Sequence, residues 1–162
     1  MNEKYIFTGK TKNVGGVELK QIKAIKSFLD IVKGEVGGWI EGEFNLNASG
    51  DAWISGNAWV YGNAWVSDDA RVSGNAGVSG GARVSGDARV YGNKHIVWLS
   101  NIGSRFDTTT FYKCENGFKV SCGCFLGTID EFEIAVKHTH AGTKFEKEYN
   151  LAIQLAKTHF DI

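Results

Sequence analysis

The sequence predicts a mainly β protein in which a parallel β-helix lies between N-terminal strands and a C-terminal β-hairpin with a two-helix cap. Three observations predict it: a six-residue repeat over residues 48–93, β-rich runs on both sides of it, and two amphipathic stretches near the C-terminus. The chain has 162 residues, 43% of them hydrophobic, and is long enough for one compact unit with a core. We expect one composite domain, with an N-terminal β cap over 1–36, the repeat over 37–94 and a ββ(β)αα segment over 95–162.

The N-terminal segment contains two predicted strands, at residues 4–7 and 17–25. Over residues 1–36 it has seven lysines against four acidic residues, but the whole chain has 18 basic and 18 acidic residues and no net charge. A neutral chain lacks the basic surface that duplex nucleic acid requires. No apolar run approaches the length of a membrane span, and the start of the chain lacks the pattern of a secretory signal. We therefore expect a cytoplasmic protein.

Each six-residue unit of the repeat has an alanine and, two residues later, an aliphatic side chain. Side chains two apart on a strand share a face, so both point inward and the residue between them points outward. Gly, Asp and Asn pairs, which are typical of turns, separate the units. One unit cannot bury its apolar side alone, so the units are expected to wind into coils that stack as a parallel β-helix. The inward residues are Ala52, Ala58, Ala64, Ala70, Ala76, Ala82 and Ala88, with Ile54, Val60, Val66, Val72, Val78, Val84 and Val90.

The outward positions carry aromatic and cationic side chains. They are Trp53, Trp59, Trp65, Arg71, Gly77, Arg83 and Arg89. If a coil holds three units, Trp53 stacks with Arg71 and Trp65 with Arg83, which allows cation–π contacts, while Gly77 opens a notch beside Trp59. Three exposed tryptophans would form apolar patches that something must cover. The N-terminal strands or a neighbouring subunit could cover them, or Trp and Arg at subunit seams could hold a planar anion.

Beyond the repeat, the sequence predicts three strands and two helices. The strands are 95–99, 108–113 and 118–125, and Asn116-Gly117 predicts a type I′ turn between the last two. Thr128 and Glu131 have the spacing of a capping box, so a first helix begins there and runs to about residue 138. Gly142 ends that helix, and a second amphipathic helix follows to about residue 158.

The turn at residues 101–105 is a candidate anion site. Gly103 and Ser104 can present backbone N–H groups, Arg105 can pair an anion through two hydrogen bonds, and Thr109 adds a nearby hydroxyl. The competing interpretation is an ordinary polar turn that leads into a strand.

The cysteines predict free thiols. Cys114, Cys122 and Cys124 are an odd number in one hairpin, which suits a reducing compartment. Cys122 and Cys124 could share a metal ion with the histidines at 138 and 140, but the spacing is not that of a zinc finger and packing as small hydrophobic residues is favoured. We expect neither a metal nor a cofactor.

Four motifs resemble phage and prophage hexapeptide-repeat proteins. They are KYIFTG at 4–9, GGWIE at 37–41, NIGSR at 101–105 and CGCFLGTIDEF at 122–132, so the resemblance covers nearly the whole chain. The resemblance implies a left-handed β-helix with three units per coil, a homotrimer and a phage origin. Hexapeptide proteins are often acyltransferases with a histidine general base. Here no histidine lies within a unit, and His95, just past the last one, is better explained as a structural residue.

The sequence therefore predicts a phage-type, non-enzymatic binding protein, acting against host defence in the host cytoplasm by sequestering a small nucleotide-like anion. The alternatives are a protein-binding inhibitor of a host defence enzyme and a hexapeptide acyltransferase. We expect no duplex nucleic acid and no membrane as partner. The candidate ligand-binding residues are Trp59, Trp65, Arg71, Arg83, Trp98, Asn101, Ser104, Arg105 and Thr109.

Overall fold

The N-terminal strands form an antiparallel sheet that continues into the repeat. The computed structural model describes residues 3–162 and has fourteen strands and two α-helices within them. Strands β1 (Tyr5–Val14) and β2 (Val17–Ala24) form a hairpin, and β3 (Val36–Ile40) pairs antiparallel with β2. On its other edge β3 pairs in parallel with a strand of the repeat. The N-terminal sheet therefore extends one face of the repeat.

The repeat consists of seven two-residue strands, which we call the stacked repeat. They pair in parallel with partners eighteen residues away, as Arg71 does with Trp53 and with Arg89. The alanine and aliphatic positions of all seven units are at most 1% exposed, which confirms the predicted inward pattern. The strands are β4 (Trp53–Ile54), β5 (Trp59–Val60), β6 (Trp65–Val66), β7 (Arg71–Val72), β8 (Gly77–Val78), β9 (Arg83–Val84) and β10 (Arg89–Val90).

The stacked repeat presents three parallel ladders. One joins β5 and β8 to the N-terminal sheet in the order β1-β2-β3-β5-β8, the second has the order β10-β7-β4, and the third pairs β6 with β9. Backbone hydrogen bonds link successive layers, as from Trp53 N to Ala70 O at 2.9 Å and from Arg71 N to Ala88 O at 2.9 Å. The residues between the inward side chains thus form three outward columns.

Side chains satisfy backbone carbonyls at the N-terminal end of the stack. The ammonium group of Lys4 donates to the carbonyl oxygens of Asn47 at 2.5 Å and Ala52 at 2.9 Å. The Asn45 amide donates to the carbonyls of Gly62 at 3.0 Å and Ala64 at 2.9 Å. Carbonyls at the end of a strand ladder lack a next strand, so these donors take its place.

A four-stranded antiparallel sheet covers the other end of the stack. Its strands are β11 (Ile96–Ile102), β12 (Asp107–Cys114), β13 (Gly117–Cys122) and β14 (Phe125–Thr128), in that order. On β12, Thr110 accepts a hydrogen bond from Arg83 N at 3.1 Å, and the Tyr112 hydroxyl lies 3.3 Å from Ser85 Oγ. The intervening Phe111 packs on the opposite face, in a second core. Because side chains alternate along a strand, β12 closes the stacked repeat with one face and carries the helices on the other.

Two helices, α1 (Ile129–His140) and α2 (Lys144–Phe160), pack on the free face of that sheet. The predicted capping box is confirmed: Thr128 Oγ1 accepts from Glu131 N at 3.2 Å, and the Glu131 carboxylate accepts from Thr128 N at 2.7 Å. Phe132 lies between Phe111 and Tyr149, with ring centroids 6.1 Å and 5.4 Å away. Both helices end two residues later than predicted.

The structure corrects three local predictions after the repeat. The run predicted as one strand over 118–125 is two strands, because Gly123, at φ 58, turns the chain between β13 and β14. The prediction of a type I′ turn is wrong. Gly117 pairs with Cys114, so the loop consists of Glu115 and Asn116, and neither loop residue has the positive φ that a type I′ turn requires; Gly117 has it instead. That geometry is a turn followed by a glycine bulge. His95 lies in a short 3-10 turn (Asn93–His95), outside the strand that follows.

Candidate functional site

An apolar cleft lies between the turn over 103–107, the β13–β14 turn and helix α1. Its volume is about 240 Å³. Four aromatic rings contribute to its wall, whereas Arg105, Asp107 and Ser104 supply its polar side chains from the turn. The lining residues are Ser104, Arg105, Asp107, Cys122, Gly123, Cys124, Phe125, Phe132, Ala135, Val136, Thr139, His140 and Tyr149.

The turn at the rim of the cleft depends on Gly103. Its φ is +72, a conformation that side chains rarely adopt. A Cβ at this position would lie well under 3.0 Å from the Tyr149 hydroxyl oxygen, so the phenol occupies the space that any side chain would need. The Gly103 N–H donates to the Glu148 carboxylate at 2.8 Å. Helix α2 therefore holds the turn in place through two consecutive residues.

The Tyr149 hydroxyl stays protonated near neutral pH. Burial raises the pKa of Tyr149 to about 12, the neighbouring Cys122 thiol acts in the same direction, and hydrogen bonding with Ser104 opposes them. The fixed formal charges on the lining residues are those of the Arg105 guanidinium and the Asp107 carboxylate. Asp107 accepts from Thr108 N at 2.7 Å, so part of its charge is engaged by the backbone of the next residue.

Arg105 lies across the β13–β14 turn. Its Nη1 is 3.3 Å from the position that a Cβ on Gly123 would occupy, so the small residue leaves room for the guanidinium. Ser104 and Arg105 are both exposed. They are the two predicted ligand-binding residues that line the cleft. The guanidinium is thus placed at the mouth of an apolar cleft, where a planar anion could reach it.

The thiols of the C-terminal sheet are free, as predicted. Thr109 is 1% exposed, and its hydroxyl donates to Cys122 Sγ at 3.2 Å, so it supports the cleft from behind. Cys124 is exposed at the cleft, whereas Cys114 is buried and burial raises its pKa. Among residues 3–162 no group of three or more His, Cys, Asp and Glu side chains could hold a metal ion. The metal arrangement with the two histidines therefore does not form in this part of the chain.

The outward tryptophans differ from the prediction of three exposed rings. Trp53 is 1% exposed, because Phe28 and Tyr5 pack against its indole with centroids 5.5 Å and 6.5 Å away. The N-terminal segment therefore covers Trp53, which agrees with the expectation that N-terminal residues would cover a tryptophan of the repeat. Trp65, at 39%, is the tryptophan that stays well exposed within residues 3–162.

The notch predicted at Gly77 is filled. The Trp59 ring lies over Gly77, so that a Cβ there would meet it at well under 3.0 Å, and the ring stacks on Tyr61 with centroids 5.4 Å apart. The predicted contacts between Trp and Arg are also wrong. In the described part of the chain, cation–π contacts come from lysines, as from Lys12 to the Trp39 ring at 4.7 Å.

The remaining predicted residues are dispersed. Arg71 is bound to Asp30 on the β10-β7-β4 ladder, and Arg83 is exposed on the β6-β9 ladder beside Trp65. Trp98 packs against the core of the stacked repeat. Asn101 is exposed, with a φ of +61, and does not line the cleft. Of the predicted set, the structure therefore brings only Ser104 and Arg105 to the cleft and separates the others.

His95 is engaged in local structure. Its Nδ1 accepts a hydrogen bond from Tyr91 N at 3.1 Å, and its ring contacts the Tyr91 ring edge-on at 5.8 Å. Burial, with the nearby Lys113 and Lys94 charges, lowers the pKa of His95. These contacts match the structural role expected for it.

The stacked repeat is similar to a known repeat type. Residues 52–68, 64–80 and 82–96 match the YdcK beta solenoid repeat. This match, with the parallel eighteen-residue pairing, supports a β-solenoid repeat over this part of the chain. A β-solenoid repeat does not indicate catalysis. No curated protein matches the chain.

Both helices pack on the four-stranded sheet, and neither helix of the described residues is long and apolar enough to cross a bilayer. Sequence reasoning found the rim of the cleft but missed its walls. Phe132, His140 and Tyr149 come from two helices whose apolar stripes identified a packing face, and no spacing rule links them to the turn. The one available signal was Gly103, since a glycine inside an anion-binding turn also permits close packing.

Proposed function

We propose that this β-solenoid protein is a non-enzymatic binding protein that holds a small planar anion in the cleft at Arg105. The observation that carries the proposal is the placement of one guanidinium at the mouth of a cleft walled by aromatic rings. Ligand sites are mostly apolar clefts with a few polar groups that orient the ligand, and this cleft has that composition.

The shape of the cleft limits the ligand. Its volume of about 240 Å³ is below the range of about 300–1,000 Å³ for sites that enclose drug-sized molecules. A single aromatic ring or base fits inside, and a phosphate or carboxylate attached to it would extend towards Arg105. The ligand ring would pack against the half-buried rings of Phe125 and His140, and the guanidinium would pair with the oxygen atoms of the anion. A mononucleotide has both parts.

The proposal also covers the type of β-solenoid, the oligomeric state and the biological role of the protein. We place the chain among phage-type hexapeptide proteins with a left-handed β-helix, assembled as a homotrimer in the host cytoplasm. Binding without turnover would act against host defence by sequestering a signalling nucleotide. The eighteen-residue layers support three units per coil, and the absence of histidine from every repeat unit argues against an acyltransferase of the hexapeptide kind. A mass near 18 kDa by light scattering would contradict the trimer.

A protein-binding inhibitor is the second candidate. It is favoured by one observation, the 39% exposed Trp65 ring beside the exposed Arg83. Tryptophan and arginine are the residue types that most often dominate binding energy at protein interfaces. Trp59 does not add to this surface, because its ring is stacked on Tyr61 and covers Gly77.

Isothermal titration calorimetry with a panel of mononucleotides and cyclic nucleotides tests the proposal, with adenosine as the neutral control. We expect at least one anionic member to bind, and Arg105→Gln to weaken it by about tenfold or more through loss of a charge-assisted pair. Arg83→Gln is the matched control, since Arg83 is exposed on another face. No binding by any member, or equal binding by Arg105→Gln, would reject the cleft as an anion site.

A further inference from the structure

A second cavity lies beside the outward column of Arg71 and Arg89, away from the cleft at Arg105. Its volume is about 410 Å³, and its wall is formed by the stacked repeat on one side and the loop over 29–35 on the other. Hydroxyl groups at matching positions of successive layers, Ser55, Ser73 and Tyr91, line it together with the two arginines.

The two arginines form an unusual pair. Arg71 and Arg89 are direct partners in the parallel ladder, so their backbones are one layer, about 4.8 Å, apart. Their side chains are only 14% and 21% exposed. Like charges placed directly opposite each other on adjacent strands are destabilising. The column therefore needs negative charge beside it.

The counter-charge of Arg71 is weakly held. Its Nη2 pairs with Asp30 Oδ1 at 2.7 Å, and its Nη1 donates to the Asp51 carbonyl. Asp30 is 75% exposed and stands at the tip of a tight turn in which Leu29 has a φ of +47. Because the Asp30 carboxylate is exposed, solvent screens this ion pair, so an anion from solution can replace the carboxylate at small cost.

The other acidic groups around the cavity are engaged. Glu115 pairs with Arg89, whose Nη1 also donates to the carbonyls of Asp69 and Ala88 at 3.0 Å. The Glu35 carboxylate accepts from Val32 N within its own loop at 3.3 Å. The hydrogen bond from Arg71 lowers the pKa of Asp30, and the Arg89 charge adds to it, so both guanidinium groups act where the Asp30 carboxylate lies.

We propose that this cavity is a binding site for a phosphate-type oxyanion, in which the Asp30 carboxylate occupies the anion position until the ligand displaces it. The incoming oxyanion would contact the Arg71 and Arg89 guanidinium groups and the hydroxyls of the column. This site goes beyond the proposed function, because none of its residues lines the cleft at Arg105.

Titration with inorganic phosphate and with glycerol 3-phosphate, followed by calorimetry at constant ionic strength, tests the site. Asp30→Asn keeps the shape but removes the competing charge, so phosphate binding is expected to tighten by about fivefold, the size of one exposed ion pair. Arg71→Gln is expected to weaken binding by about tenfold or more. A preference for the ester over inorganic phosphate would identify a phosphorylated metabolite as the source.

Two further variants complete the test. Arg83→Gln, on another ladder of the stacked repeat, is expected to leave phosphate affinity unchanged, and Arg89→Gln should reproduce the loss seen with Arg71→Gln in case that variant folds poorly. Thermal unfolding of each variant checks the fold. Absence of phosphate binding even by Asp30→Asn, or weaker binding by that variant than by the wild type, would overturn the proposal.

Discussion

At the scale of single residues, one glycine connects the helices to the cleft. Gly103 has a positive φ and no space for a Cβ, because the Tyr149 hydroxyl fills it. Gly142 has the same φ of +72 and nothing within 4 Å of the position of its Cβ. The two glycines therefore differ in their surroundings and share a backbone conformation.

We expect Gly103→Ala to destabilise the protein more than Gly142→Ala. At either site, an alanine in the left-handed conformation lowers the free energy of unfolding by about 1–2 kcal/mol. At Gly103 the clash with Tyr149 adds about 1–3 kcal/mol, as for other overpacked cores. Urea denaturation gives both free energies of unfolding. Equal losses would show that Tyr149 can move aside and that the turn is not held by it.

Lys4 makes stability depend on pH at the other end of the molecule. Burial lowers the pKa of Lys4 from 10.5 to about 8, although the Asp51 charge opposes this. Between these two pH values the unfolded chain binds a proton on Lys4 that the folded protein does not bind. The contribution of Lys4 to the free energy of unfolding therefore rises with pH from about 8 to 10.5 and does not change with pH below about 8.

The measurement is the free energy of unfolding of the wild type minus that of Lys4→Met, at pH 7 to 10.5. The difference cancels the other groups that titrate in this range, and we expect it to increase above pH 8. A difference that is constant, or that falls with rising pH, would contradict the lowered pKa.

At the scale of elements, regular patterns were predictable and local exceptions were not. The repeat strands could be predicted because each alanine and aliphatic pair has to face inward in every unit. The split of residues 118–125 into β13 and β14 depends on Gly123, which occurs inside an otherwise continuous β-rich run. The turn at Glu115 and Asn116 depends on register, which is set by pairing with β12 and by the contact of that strand with the stacked repeat.

The outward column of Trp59 and Gly77 is a second case in which the sequence predicted the position of the residues and not their packing. The period of the repeat placed Trp59 and Gly77 in one column, but only packing shows that the ring fills the space of the missing side chain. We expect Gly77→Ala to destabilise the protein by about 1–3 kcal/mol, because the Trp59 ring has to move.

Gly92→Ala is the matched control for that substitution. Gly92 has an extended backbone, with a φ of 176, and nothing within 4 Å of its Cβ position, so its replacement is expected to be neutral or slightly stabilising. Urea denaturation and tryptophan fluorescence of both variants test this account. Gly77→Ala with wild-type stability and fluorescence would show that Trp59 does not depend on the glycine.

At the scale of the whole molecule, the fold has two hydrophobic cores, one on each face of strand β12. The stacked repeat has one core, and the second lies between the four-stranded sheet and the helices, with β12 shared between them. The cleft belongs to the second core, so the repeat serves as the rigid support of the site. The cleft could not be predicted from the sequence as a whole, because its wall combines the turn over 103–107, the turn at Gly123 and residues of both helices.

The proposed function requires that a planar anion bind in this cleft. Two-dimensional amide NMR of the protein, titrated with the tightest-binding mononucleotide from the calorimetry, locates the contact. We predict that shift changes concentrate at 103–107, 122–125 and 132–140, and that Arg105→Gln abolishes them at the same ligand concentration. Changes confined to the Trp65 and Arg83 surface, or spread evenly along the stacked repeat, would contradict the account.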